Sequence, residues 1–321
     1  MTATLPVRRT ADPRRRPLAP RRRPLRVRAT PYLFLGPAAL LFLGLIAVPI
    51  GYAVVLSLFG PRVSGGAYGV RRQVFLGLEN YARSLTDSVL LESIGRMFLF
   101  ALIMVPLMMG SALLFALLLD APRTRLKGPA RTAIFLPYAV PGVIASLMWG
   151  FLYLPSTSPA VDLGRLVGVE LPDLLNGPIV YGSIANIVIW SGVGFNMIIL
   201  YTSLRSIPEE TIDAARIDGA NERQIAWYIK VPSVLPALTL TGLFCILGAL
   251  QTYSEPTTLS SLTTGISSTF FPLMKVYQDA FANDDLNHAA ATSVLLAVGT
   301  LLLSLLILKL FATRANGSQD G

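Results

Sequence analysis

SIPEETIDAARIDGANERQIAWYIKVPSVLPA, residues 206–237, is a polar and charged island between apolar runs of membrane-spanning length. Glu209, Glu210 and Asp213 load its first half with negative charge, which complements the positive end of a helix dipole. Ser206 stands three residues before Glu209, the spacing of a capping box, and Pro208 is tolerated in a first turn because its missing N–H has no partner there. Ala214 and Ala215 are strong helix formers of minimal bulk, so the backbone can approach a partner closely. Gly219 permits the positive φ that ends a helix, and Asn221 can cap a second one. That second helix is predicted to run to Lys230, with Pro232 at its end or at a kink. Two short helices hinged on a glycine are the expectation for 205–236.

The composition around the island is that of a membrane protein: 53% hydrophobic and 14% charged over 321 residues. A spanning helix needs roughly 20 apolar residues. Segments 32–58, 94–119, 132–154, 179–204, 233–253 and 288–311 qualify. Backbone groups in lipid must be satisfied within the segment, so runs of this length are helices. The alternating pattern of a membrane barrel is absent from the sequence. The expected fold is all-α, a polytopic membrane domain of about six spans over 31–312.

Net charge is +9, and it has one address. Residues 1–30 carry ten Arg against the single acid Asp12, while the other 291 residues balance at 17 basic and 17 acidic. Prolines at 13, 17, 20 and 24 argue against helix there, so 1–30 is expected to be a disordered arm. Such an arm fixes the N-terminus in the cytoplasm and touches anionic lipid; a nucleic-acid partner is not expected. Six spans then return the C-terminus to the same side, leaving 313–321 as a cytoplasmic tail. Loops 60–92, 155–178 and 254–287 face outward in this topology.

Cys245 and His288 are the only Cys and His, too few for a disulfide or a metal cluster, so no metal is expected. No G-x-x-x-x-G-K-[ST] loop occurs, so the usual cradle for ATP phosphates is missing from this sequence.

The island also carries a motif. Asp213-Ala214-Ala215, then Asp218-Gly219-Ala220, then Ile229 and Val231-Pro232 resemble the cytoplasmic coupling loop of permeases in binding-protein-dependent ABC importers. The family's usual Glu is Asp213 here, one methylene shorter. Phe75-Leu76-Gly77-Leu78-Glu79-Asn80-Tyr81 is similar to an F-x-G-L-x-N-Y segment of carbohydrate-importer permeases. Phe135-Leu136-Pro137 followed by Trp149 resembles the same family at this position. The Gly-Gly-Pro often found before the last span is replaced by Glu255-Pro256-Thr257-Thr258.

The resemblance implies a type I ABC importer permease, closest to the branch that includes maltose and glycerol-3-phosphate permeases. It implies a transport subunit and no enzyme, sited in the cell membrane. ATP and Mg would be held by a pair of separate ATP-binding subunits, with no cofactor on this chain. A second permease subunit, an extracytoplasmic solute-binding protein and the bilayer complete the expected partners. Glu210, Asp213, Ala214, Ala215, Asp218, Gly219, Ala220 and Pro232 would form the ATPase-docking surface. An amphipathic pair lying on the membrane would instead be rich in Lys and Arg, whereas 206–222 holds five acids and Arg216 alone.

The resemblance makes the solute a sugar or oligosaccharide; polyamine, phosphate or iron importers share the loop, and a secondary transporter is the reading from another class. Polar groups inside spans face a cavity or another helix. Asn186, Trp190, Asn196, Gln251 and Tyr253 are the candidates for the solute pathway, because amides meet hydroxyls and aromatic faces stack on sugar rings. The same residues can instead join helices by hydrogen bonds.

Overall fold

The computed structural model describes residues 25–64, 70–122, 124–170 and 172–316. The chain divides into two compact units, residues 1–52 and 53–321. In the first, α1 (Leu25–Phe42) passes through a π-turn at Leu43–Ala47 into α2 (Val48–Ser57). Among the described residues helix is present from Leu25 onward, inside the stretch read from sequence as an arm without helix. Residues 25–30 hold no proline, so their N–H groups can join the helix, which then carries Pro31 and Pro37. Residues 1–24 lie outside the described part. Tyr32–Ser57 is the first helix long and apolar enough to cross a membrane, with mean hydropathy 2.5.

The second unit opens with an antiparallel hairpin, β1 (Phe59–Ser64) on β2 (Val70–Phe75), with Arg62 facing Arg72. These two strands are the addition to a helical fold that the sequence reading lacked. After them come α3 (Glu79–Thr86) and α4 (Ser88–Asp120). The F-x-G-L-x-N-Y segment is a clamp. Buried Asn80 donates to the carbonyls of Ser57 and Phe59, and the Tyr81 hydroxyl lies 2.6 Å from Ser57 Oγ.

The core is built on α4 and α8 (Val180–Leu204). Phe100, Met104, Met108, Ala112 and Ala116 recur every fourth residue along α4, and all are buried. Residues four apart form one ridge of a helix. It packs with Ile184, Ile187, Met197 and Leu200 of α8 in one core. Gly194 lets α8 approach more closely still: a Cβ there would stand 2.3 Å from the Ile134 carbonyl oxygen.

Between these helices lie α5 (Lys127–Phe135), a 3₁₀ turn at Leu136–Ala139, α6 (Gly142–Tyr153) and α7 (Pro159–Leu166). The third predicted span is broken in two. Lys127–Ala139 and Gly142–Tyr153 meet at 99°, with Pro141 at the break, where its missing N–H and ring interrupt the ladder. The described residues thus hold five spanning helices, or six if the bent pair counts as one.

The remaining elements are α9 (Glu209–Ile217), α10 (Glu222–Ile225), a π-turn at Ala226–Lys230, α11 (Val231–Ser233), α12 (Leu235–Leu250), α13 (Ser254–Leu259), α14 (Pro272–Tyr277) and α15 (Leu286–Asn316). The last helix continues to Asn316, into the stretch expected as a tail; residues 317–321 are outside the described part. Near the start of α4, Lys275 Nζ lies 3.0 Å from Asp87 and 2.5 Å from Asp279, while Arg83 pairs with Asp285 at 2.7 Å.

Candidate functional site: the helix pair at 209–230

The glycine turn predicted at 219 is present, with φ +84°. Gly219 N–H donates to the Arg216 carbonyl at 3.1 Å and Ala220 N–H to the Ala215 carbonyl at 2.9 Å. These two bonds are a Schellman closure, satisfying carbonyls that the end of α9 would leave bare. A Cβ at 219 would meet nothing within 4 Å, so the requirement for glycine is conformational and not steric.

The capping box falls on the other helix. Asn221 Oδ1 accepts from Gln224 N–H at 3.0 Å, and Gln224 Oε1 accepts from Asn221 N–H at 2.8 Å. Ser206 does not cap α9; its hydroxyl donates to the Ser203 carbonyl, and Pro208 takes the cap position with no side-chain bond. Ile207 precedes a proline, which disfavours helical φ/ψ at that residue, so α9 starts only after Pro208.

Arg216 then spans the turn, donating to Asp213 at 3.0 Å and to Glu222 at 3.1 Å. It bridges α9 to the first residue of α10. Glu210, Asp213, Ala214, Asp218, Gly219 and Pro232 are exposed, while Ala215 and Ala220 are half-buried. Three large apolar residues missed by the sequence reading stand exposed on the same element: Ile217 at 87%, Trp227 at 68% and Tyr228 at 79%. For Ile217 the signal available was its place in a polar island, with Asp213 and Asn221 at i±4. Beneath the pair is a cavity of 520 Å³ whose lining includes Asp120, Lys127, Arg205, Glu209, Asp213 and Lys230.

The five solute-pathway candidates separate. Asn196 is buried and lines a second cavity, of 450 Å³. Its Nδ2 donates to the Gly192 carbonyl at 3.1 Å, and Cys245 Sγ approaches its Oδ1 at 3.6 Å. Asn186 lies off that cavity and donates to the Tyr153 hydroxyl at 2.8 Å, joining α8 to α6. Trp190 packs edge-on against Trp149 at 5.9 Å. Gln251 is exposed at the end of α12, and Tyr253 lies against Tyr277 at 5.9 Å. Tyr138, Ser191 and Glu255 line the 450 Å³ cavity and were not among the sequence candidates. Among the described residues, no group of three or more His, Cys, Asp or Glu is placed to hold a metal ion.

Residues 90–316 match the family described as "Binding-protein-dependent transport system inner membrane component". The chain belongs to this family. The Bacillus subtilis "Probable ABC transporter permease protein YurN" is 30% identical, over 88% of this chain and 96% of that relative. The Mycobacterium tuberculosis "Trehalose transport system permease protein SugA" is 27% identical, over 90% of each. In fold, the permease aligns with a chain of a bacterial ABC transporter involved in the import of the acidic polysaccharide alginate. The TM-score is 0.73 at 16% identity, with 91% of this chain and 99% of that chain covered. The permease is a multi-pass membrane transport subunit, and its system works with a binding protein.

Proposed function

We propose that this permease carries a sugar or oligosaccharide, and that α9 and α10 dock into a separate ATP-hydrolysing subunit which drives the transport cycle. The observation that carries the docking role is the helix pair itself: a Schellman turn, a bridging Arg216 and a face of exposed Ala, acid and Ile217. Large apolar residues left bare on a rigid polar element mark a protein contact. ATP and Mg belong to the partner, of which two copies serve a pair of permeases, the second permease being a different chain. The arm 1–30 and the tail lie in the cytoplasm, as does the helix pair.

Support for a carbohydrate comes from the trehalose permease similar along 90% of the chain and from the cavity beside Asn196. Its wall combines an amide, hydroxyls of Tyr138 and Ser191, and the Tyr138 ring stacked on Phe195 at 5.0 Å. We place the solute path there. Co-expression with the ATPase and the binding protein, followed by uptake of labelled trehalose, maltose, glycerol-3-phosphate and putrescine, tests the solute class. Uptake of putrescine alone would overturn the sugar reading.

A further inference from the structure

Two helices break beside the 450 Å³ cavity. The first break is at Val140–Pro141, between Ala139 and Gly142. The second is at Gln251–Tyr253, between α12 and α13. They come together at one carboxylate: a Cβ placed on Gly142 would lie 3.3 Å from Glu255 Oε1. Glu255 is half-buried and, among the described residues, is the only Asp, Glu, Lys or Arg in the cavity lining. Among the described residues it takes no ion pair and no hydrogen bond from another side chain, whereas Asp87, Asp120, Asp279 and Asp285 are all paired with cations.

We propose that Glu255 sets the charge preference of the translocation cavity, accepting hydroxyl or ammonium donors and turning anionic solutes away. The proposal rests on the reading of this cavity as the solute path. An ionisable group within spans is costly and persists where it faces a cavity or a partner. Here no partner side chain offsets its charge, so its field acts on whatever enters. Phe244, Phe195, Met104 and Met108 line the same cavity and bring no opposing charge to it. Two carboxylate oxygens can accept from two neighbouring hydroxyls of a neutral sugar. A phosphate or uronate brought to the same place meets like charge instead.

The native chain supplies its own reporter, because its single cysteine, Cys245, lines the same cavity. The full permease, in its complex, is treated with a trimethylammonium-ethyl and a sulfonatoethyl methanethiosulfonate. Both rates are taken at one pH and normalised to the same reagents on a small free thiol, so ionisation of the cysteine cancels from the ratio. The cation is expected to be favoured by about tenfold, and Glu255→Gln to bring the ratio to near one. A ratio unchanged by Glu255→Gln would overturn the proposal. Reaction with neither reagent, both at Cys245 and at Ser191→Cys in a Cys245→Ala background, would overturn it too, since no solute would then reach the carboxylate. The readout needs no knowledge of the solute, so a permease that proves to carry something other than sugar leaves this test standing.

Discussion

Lys230 Nζ lies 2.5 Å from Asp120 Oδ2, and each side chain is 7% exposed. The pair joins the end of α4 to the π-turn that closes the helix pair, two places 110 residues apart in sequence. It ties the segment that follows α9 and α10 to the helix that carries the core ridge. Losing one partner leaves a buried charge uncompensated, at a cost of about 3–5 kcal/mol. Lys230→Met and Asp120→Asn are each expected to lower the unfolding midpoint in detergent strongly. The double variant should recover much of the loss, because two neutral groups need no counter-charge; a strictly additive double variant would contradict this account.

Gly219→Val places a β-branched residue at φ +84°, a strain on the order of 1–3 kcal/mol. The open space around the position removes any clash within the chain. Membrane insertion should stay normal, while co-purification of the ATPase and uptake fall together. Gly219→Asn should be milder, since Asn tolerates the left-handed region. Full uptake by the Val variant with its ATPase bound would remove the coupling role from this loop.

How much of this was legible in the sequence depends on how local the cause is. The turn at Gly219 and the cap at Asn221 follow from residues within four positions of each other, and both are present, whereas the helical chain runs past the end expected near Lys230 and through Pro232 to Ser233. Ser206 misled because its spacing to Glu209 is right, yet Ile207 before Pro208 resists the helix that a cap would start. The hairpin had a signal too: Gly65, Gly66 and Gly69 between two runs with Val and Phe. The cavity was not readable, because Tyr138, Ser191 and Glu255 come together only when two broken helices pack around α8.

Asn186 offers a test of packing against passage. Its amide donates to Tyr153, whose hydroxyl also reaches the Ser183 carbonyl at 3.3 Å. Hydrogen bonds between membrane helices contribute about 0.6 kcal/mol on average. Asn186→Ala and Tyr153→Phe should therefore each lower stability slightly, with a coupling of about that size in a double-mutant cycle, and leave uptake intact. Loss of uptake at unchanged stability would return Asn186 to the solute path.

Stability at the start of α4 should depend on pH through Asp87. Burial pushes its carboxyl up, but the Lys275 ammonium and the N–H groups of Leu90 and Val89 outweigh this and hold it below its ordinary 3.8. A lowered carboxyl contributes stability above pH 3.8 and loses it as pH falls through the lower folded value. Lys275 is shifted the other way. Burial alone would lower it, and Asp279 and Asp87 raise it above its ordinary 10.5, so its share is present below pH 10.5 and lost as pH rises past the raised value. The stability gap between the native chain and Asp87→Asn should be flat across neutral pH and shrink below pH 3.8. Thermal melts of both proteins at matched pH would show this; a gap that widens in acid contradicts it.

Ile217 is the sharpest probe of the docking face, because it is 87% exposed at the last turn of α9 and packs on nothing within the chain's core. Replacing it costs the isolated permease little, since surface changes of this kind stay within about 0.5 kcal/mol. In a complex the side chain would be buried, and an Ile fully removed from water contributes about 1.5–3 kcal/mol, on the order of ten- to a hundredfold in affinity. Ile217→Asp adds the cost of burying a charge among the exposed acids Asp213 and Asp218. The expected outcome is normal expression, an unchanged melting curve and loss of the ATPase from the purified complex. Ile217→Val should keep most of the binding. Retention of the ATPase by Ile217→Asp would take the contact away from Ile217, and Trp227→Asp would then be the variant expected to release it.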